Sequence, residues 1–150
     1  MKRLLFALCT LCASISMLAQ DEVLQKYTEM GDVNTTYVSR GMIDQLPFDQ
    51  FGVPGLEDIA RRIDNMKILV SRGDKAGKEM GNKLPKQLMR RGFAEQLDRK
   101  LEDGQSVRIL QSKRDPSRVV MVMYKKPHAI VISMKGDFSG GLEQLVPTNP

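Results

Sequence analysis

Two runs in the last third of the chain limit the fold more than any other feature. "RVVMVMY" (118–124) and "AIVISMK" (129–135) are apolar at nearly every position, and only "KKPH" separates them. Short apolar runs rich in β-branched residues form strands rather than helices. A strand with one wet face alternates polar and apolar residues. These two barely alternate, which predicts central strands covered on both faces for part of their length. A join this short allows only antiparallel neighbours.

Two further strands precede them. "EQLDRKL" and "SVRILQSK" flank "EDGQ", whose Asp103-Gly104 pair is a strong hairpin signal, and "RDPS" supplies the next turn. Together these runs predict a four-strand antiparallel meander. Earlier, "DVNTTYVSR" and "MKILVS" read as strands, the second with Met66, Ile68 and Val70 alternating along one side.

Helical spacing appears in three places. "DEVLQKYTEMG" puts Val23, Leu24, Tyr27 and Met30 on one face, with Gly31 as terminator. "GLEDIARRI" does the same with Leu56, Ile59, Ala60 and Ile63. "GMIDQL" has room for a helical turn or two before Pro47. A longer helix is predicted from Asp74 to Gly92, where Ala76, Met80, Leu84 and Leu88 recur every four residues. Gly77, Gly81 and Pro85 interrupt it, and Pro85 is expected to kink or restart it near Lys83. A short terminal helix is expected within "DFSGGLEQLV", capped by Ser139 or Asp137. The expected class is therefore α+β: a mostly antiparallel sheet ending in the four-strand meander, with helices packed on one face.

The first twenty residues read differently from the rest. Lys2 and Arg3 precede an apolar run from Leu4 to Leu18, then Ala19 and the polar "QDE". This is the pattern of a secretory signal peptide, with cleavage expected after Ala19. Residues 20–150 would form a single domain. Both cysteines, Cys9 and Cys12, fall inside the leader. Neither follows the small residue that a lipoprotein peptidase requires, so no lipid anchor is expected. The exported chain would then hold no disulfide, no thiolate nucleophile and no cysteine metal ligand, and must be held by its core. Removing two of the 23 basic residues leaves 21 against 18 acidic ones, net +3. That balance is too mild to imply a nucleic-acid partner.

Candidate chemistry is sparse. His128 is the only histidine, and it sits in the "KKPH" turn beside Pro127. A catalytic histidine needs a carboxylate to orient it and a nucleophile to serve, and a zinc site needs further ligands. A turn position is the simpler reading. Glu57 and Asp58 fall in a first helical turn, where carboxylates favour the helix dipole, and no spacing sets Asp137 or Glu143 apart as a catalytic pair. No glycine-rich phosphate cradle is present. Met80, Met89, Met121, Met123 and Met134 occupy apolar positions and read as core filling. No catalytic residue, metal or cofactor is therefore expected.

Two surfaces remain. Lys75, Lys78, Lys86 and Arg90, with Asn82 or Lys83 between them, repeat at helical spacing opposite the apolar stripe. They form one solvated helix face, which is either simply the charged exterior of the helix or a surface for anionic lipid headgroups or envelope polysaccharide, and Arg61 and Arg62 could extend it. Phe48 and Phe51 lie three apart between prolines in "PFDQFGVPG"; exposed they would form a binding tip, folded back they would plug the core.

"VNTTYVSRGMIDQLP", "IDNMKILVS", "SVRILQSK", "VVMVMY" and "AIVISMKGDFSGGLEQL" together resemble a family of small exported bacterial proteins catalogued as a domain of unknown function. Its pattern is an early Tyr-Val-Ser strand, a mid-chain Ile-Leu-Val strand and a last strand ending in Gly-Asp, here Gly136-Asp137. The resemblance implies export, one α+β domain and a link to envelope signalling. It assigns no catalytic residue, and the chain departs from those members that carry a lipobox.

The reading that follows is a non-enzymatic, exported binding or interaction protein, periplasmic or envelope-associated. Its partner would be a protein or an anionic envelope component, with peripheral contact to a membrane surface. One alternative is a signalling accessory acting with a membrane-bound anti-sigma partner. Another is a hydrolase using carboxylates or a bound metal.

Overall fold

The computed structural model describes residues 23–47 and 56–138, with the side chains of Leu56, Glu57 and Ile59 outside that description. In chain order the elements are α1 (23–28), β1 (Val33–Ser39), α2 (Arg40–Ile43), α3 (Leu56–Arg62), β2 (Ile63–Ser71), α4 (Asp74–Lys78), a π-helical turn (Glu79–Lys83), α5 (Leu84–Arg90), β3 (Phe93–Lys100), β4 (Ser106–Ser112), β5 (Arg118–Lys125) and β6 (His128–Gly136). The six strands form one sheet in the order β1-β2-β6-β5-β4-β3, and every neighbouring pair is antiparallel. The fold is α+β. The apolar runs of β5 and β6 lie at the centre of the sheet, as their lack of alternation predicts.

Successive residues of a strand point to opposite faces, and the two core clusters sort accordingly. Leu69, Leu110, Val120, Val122, Ala129 and Val131 pack beneath Val23, Leu24 and Tyr27 of α1 and beneath Ala76, Met80, Leu84 and Leu88. This is the helix face. On the opposite face, Ile109, Val119 and Met134 join Val38, Ile43, Ala60, Ile63 and Phe138. The main helical layer thus lies on one side, while Ile43 of α2 and Ala60 of α3 cover part of the other.

In β2 the expected alternation falls on the less buried side. Met66 and Ile68 are half-buried on the opposite face and Val70 is exposed, whereas Leu69 and Ser71 are buried under the helices. A helix layer excludes water more completely than two short helical segments do. The strand also begins at Ile63, earlier than the "MKILVS" run. Met89 departs from the core-filling expectation as well, since it is exposed on α5.

The long helix carries the fold's main irregularity. Side chains four residues apart overshoot a helical turn by about 40°, so three such steps displace Leu88 by roughly 120° from Ala76. All four members of the stripe are nonetheless fully buried. The π-helical turn absorbs the drift, because its extra residue turns the following chain back by about 100°. Pro85 accounts for its position. It offers no N–H, and its ring would strike the carbonyl four residues earlier, that of Gly81, in a regular helix. Gly92, at φ +95°, then closes α5 in the left-handed region that favours glycine.

The β5–β6 hairpin seats this helix. Tyr124 packs against Gly81, and the carbonyl of Pro127 lies against Gly77. The buried Ser71 hydroxyl accepts a 2.9 Å hydrogen bond from the Ala129 amide, tying β2 to the start of β6. The first helix is pinned by Tyr27, whose hydroxyl donates to Gln87 Oε1 at 3.0 Å. Burial, then the nearby Glu79 charge, raises the Tyr27 phenol above its ordinary value of 10.0. The folded state therefore holds the neutral phenol. That contribution is intact at neutral pH and is lost as the pH climbs past the ordinary value. Tyr27→Phe should lower stability by about 1 kcal/mol, read as a shift in denaturation midpoint, with no change in its pH dependence below neutrality.

Candidate anionic interface on the helix layer

The stripe of Ala76, Met80, Leu84 and Leu88 faces the sheet, so the residues between them face solvent. Lys75, Lys78, Lys83, Lys86 and Arg90 are all exposed. The helix also carries Asp74 and Glu79, leaving five cations against two anions between Asp74 and Arg90, net +3. Glu79 is half-buried and acts electrostatically on Tyr27, so it lies toward α1 rather than along the cationic row. The structure brings the four predicted basic residues onto one solvent-facing side of a rigid element.

At its C-terminal end the row opens into a concavity. Val23 and Lys26 of α1, Gln87 and Arg90 of α5, and Arg91 line a hollow of about 340 Å³. Three cations meet there beside Val23, and Gln87 is fixed by Tyr27. The α5 C-terminus adds partial negative charge at the same place, which helps hold Arg90 and Arg91 near the last turn. Neither Lys26 nor Arg91 stands out in the sequence as part of this site. Lys26 joins it because α1 packs across α5. The signal was indirect: Val23, Leu24 and Tyr27 define the buried side of α1 and leave Lys26 at its margin.

Arg61 and Arg62 do not extend the row. They belong to α3, whose Ala60 packs into the cluster on the opposite face. The Arg61 carbonyl accepts from Arg40 Nη1 at 2.6 Å, one of three such bonds by which Arg40 gathers the end of α3 and the start of β2. Phe48 and Phe51 lie outside the described residues, as do Glu143 and the expected terminal helix.

His128 is the exposed first residue of β6, paired with Lys125 across the hairpin. Several carboxylates are engaged structurally. Arg108 bridges Glu95 at 3.0 Å and Asp98 at 3.6 Å beside the β3 edge, and Asp103 faces Lys125 at 3.8 Å. Among the described residues, no three histidine, cysteine, aspartate or glutamate side chains group as metal ligands. No helix among them is long and apolar enough to cross a membrane.

The fold and this surface define an α+β protein presenting a cationic helix layer. No family model matches the chain, and neither a curated protein nor a solved structure is significantly similar to it.

Proposed function

We propose that the chain is an exported, non-enzymatic binding protein that engages anionic envelope material through the outer face of α4 and α5. The reading rests on one observation: Lys75, Lys78, Lys83, Lys86 and Arg90 share a solvent-facing side of one helix and lead into the hollow formed with Lys26 and Arg91. A long helix seated on a sheet holds such a row at fixed spacing, and summed surface charge of this kind attracts polyanions. The antiparallel meander, with its main helical layer on one side, serves as the scaffold. Residues 1–19 direct export and are removed after Ala19, and the protein works at the envelope. It belongs with the small exported proteins that its strand motifs resemble.

The test is charge reversal. The triple variant Lys75→Glu, Lys78→Glu, Lys86→Glu should lose at least about tenfold in apparent affinity for anionic vesicles or acidic polysaccharide, with an unchanged far-UV spectrum. Wild-type binding should weaken steeply as salt is raised, because surface charges are screened beyond about 10 Å at 0.1 M salt. Equal retention of wild type and triple variant on both materials would sink the proposal.

A further inference from the structure

The helix layer covers only one end of its sheet face. Beyond it, two cross-strand rows on the same side are left uncovered by the described helices. Tyr37 pairs with Lys67, and Lys67 with Ser133. Ser39 pairs with Asn65, Asn65 with Lys135, and Lys135 with Arg118. These residues line a shallow basin of about 340 Å³. It spans four neighbouring strands, roughly 14 Å at the usual inter-strand spacing.

The chemistry of the basin is selective. Its cations are Lys67, Lys135 and Arg118, and its rim carries Asp115. Arg118 Nε lies 3.5 Å from Asp115 Oδ2, so the guanidinium is braced rather than loose. Asp115 is itself held by the Ser117 hydroxyl and amide. That hydroxyl, most of all, keeps the Asp115 carboxyl below its ordinary 3.8, against an opposing effect of burial and with help from Arg118 and Lys135. Among the described residues, cations thus predominate in the basin lining. Ser133 and Asn65 add neutral donors. Tyr37 is 65% exposed, the most exposed large apolar or aromatic side chain among the described residues. One side of its ring meets Lys67 Nζ at 5.1 Å from the centroid, a cation–π contact that fixes both side chains.

We propose that this basin binds a phosphorylated saccharide. A phosphomonoester carries more acceptor oxygens than a carboxylate, which suits cations and donors converging from three strands. The width of the basin leaves room for a sugar beside the phosphate. The exposed Tyr37 ring provides an apolar surface for the sugar's C–H face, and Asn65, Ser39 and Ser133 provide hydrogen bonds for its hydroxyls. The site is separate from the basic row on α4 and α5, which lies on the outer side of the helix layer.

Amide-resolved NMR titration of the purified protein tests the assignment, with glucose 1-phosphate, inorganic phosphate and glucose as probes. Glucose 1-phosphate should move the amides of Tyr37, Lys67, Ser133 and Lys135, and should bind more tightly than either half alone. In the Lys67→Gln, Lys135→Gln variant its affinity should fall at least tenfold, while the triple helix-face variant should bind it like wild type. Tyr37→Ser should weaken the sugar phosphate several-fold more than inorganic phosphate, since it removes the sugar's platform and only loosens Lys67; this single exposed substitution keeps the test valid if the double variant misfolds. Phosphatidylcholine vesicles carrying phosphatidylinositol 4-phosphate distinguish a lipid-borne headgroup from a free sugar phosphate: retention lost in the double variant assigns the lipid source, and no retention beside soluble binding assigns the free one. Unmoved basin amides, or equal affinity in wild type and double variant, would overturn the proposal. Inorganic phosphate binding as tightly as glucose 1-phosphate would overturn the saccharide assignment.

Discussion

Gly77→Ala should lower the stability of the fold by about 3 kcal/mol, although the same change in an unobstructed helix adds up to about 1 kcal/mol. The sign reverses because of what faces the glycine. A Cβ at Gly77 would overlap the Pro127 carbonyl and crowd the Ser71 hydroxyl. Neither can step aside cheaply. The carbonyl is backbone of the β5–β6 turn, and the Ser71 hydroxyl accepts the Ala129 amide at the head of β6. Inserting a methyl must lift α4 from the hairpin or break that hydrogen bond, which would leave a buried N–H unpaired. Denaturant titration of the variant measures the loss as a lower midpoint with a similar slope. Gly41→Ala is the matched control: it also lies in a helix, and nothing stands within 4 Å of the added carbon. It should be neutral or stabilising by about 0.5 kcal/mol. Equal behaviour of the two variants would mean that α4 is not seated on the hairpin.

Gly77 and Gly81 also show where a sequence stops being legible. Read along the chain, they are weaknesses in a helix. Only the fold reveals that Pro127 and Tyr124 approach them across more than forty intervening positions. The strands of the last third could be read because the signals are local. Asp103-Gly104 sets one turn, with Gly104 at φ +85°, and unbroken apolar runs mark β5 and β6 as central. The stripe from Ala76 to Leu88 identified the buried side of the long helix, and Pro85 marked its irregular stretch. Which strands neighbour which was less accessible. The pairing of β2 with β6 joins segments some sixty residues apart, and nothing within "MKILVS" names its partner. The same limit applies to sites. Lys75, Lys78, Lys86 and Arg90 are visible because helical spacing is local. Lys67, Arg118 and Lys135 come from three strands, each lysine or arginine unremarkable in its own segment. Cross-strand register alone brings them together. Lys26 and Arg91 likewise meet only because α1 crosses α5.

Leu84→Ala should cost about 3 kcal/mol and lower the melting temperature by about 10 °C. Leu84 is the first residue of α5 and has no exposed surface, packed in the cluster that joins the helix layer to Leu110, Val120, Val122 and Val131. Its position is set by the π-helical turn immediately before it. Without the extra residue of that turn, each step of the four-residue stripe would drift by about 40°, its two ends could not both face the sheet, and Leu84 would lose part of its burial. Truncating it removes apolar contact and leaves a cavity that Pro85, buried and locked in φ, is poorly placed to fill. The neighbouring Lys83→Ala provides the comparison. Lys83 ends the π-helical turn and is exposed, so its truncation should change stability by less than about 0.5 kcal/mol. A regular α-helix through this stretch would instead bring the two costs closer together, since Leu84 would lose part of its burial. The difference in denaturation midpoint between the two variants therefore measures whether the π-helical turn keeps the stripe on the sheet. It should be large, with Leu84→Ala much the weaker protein.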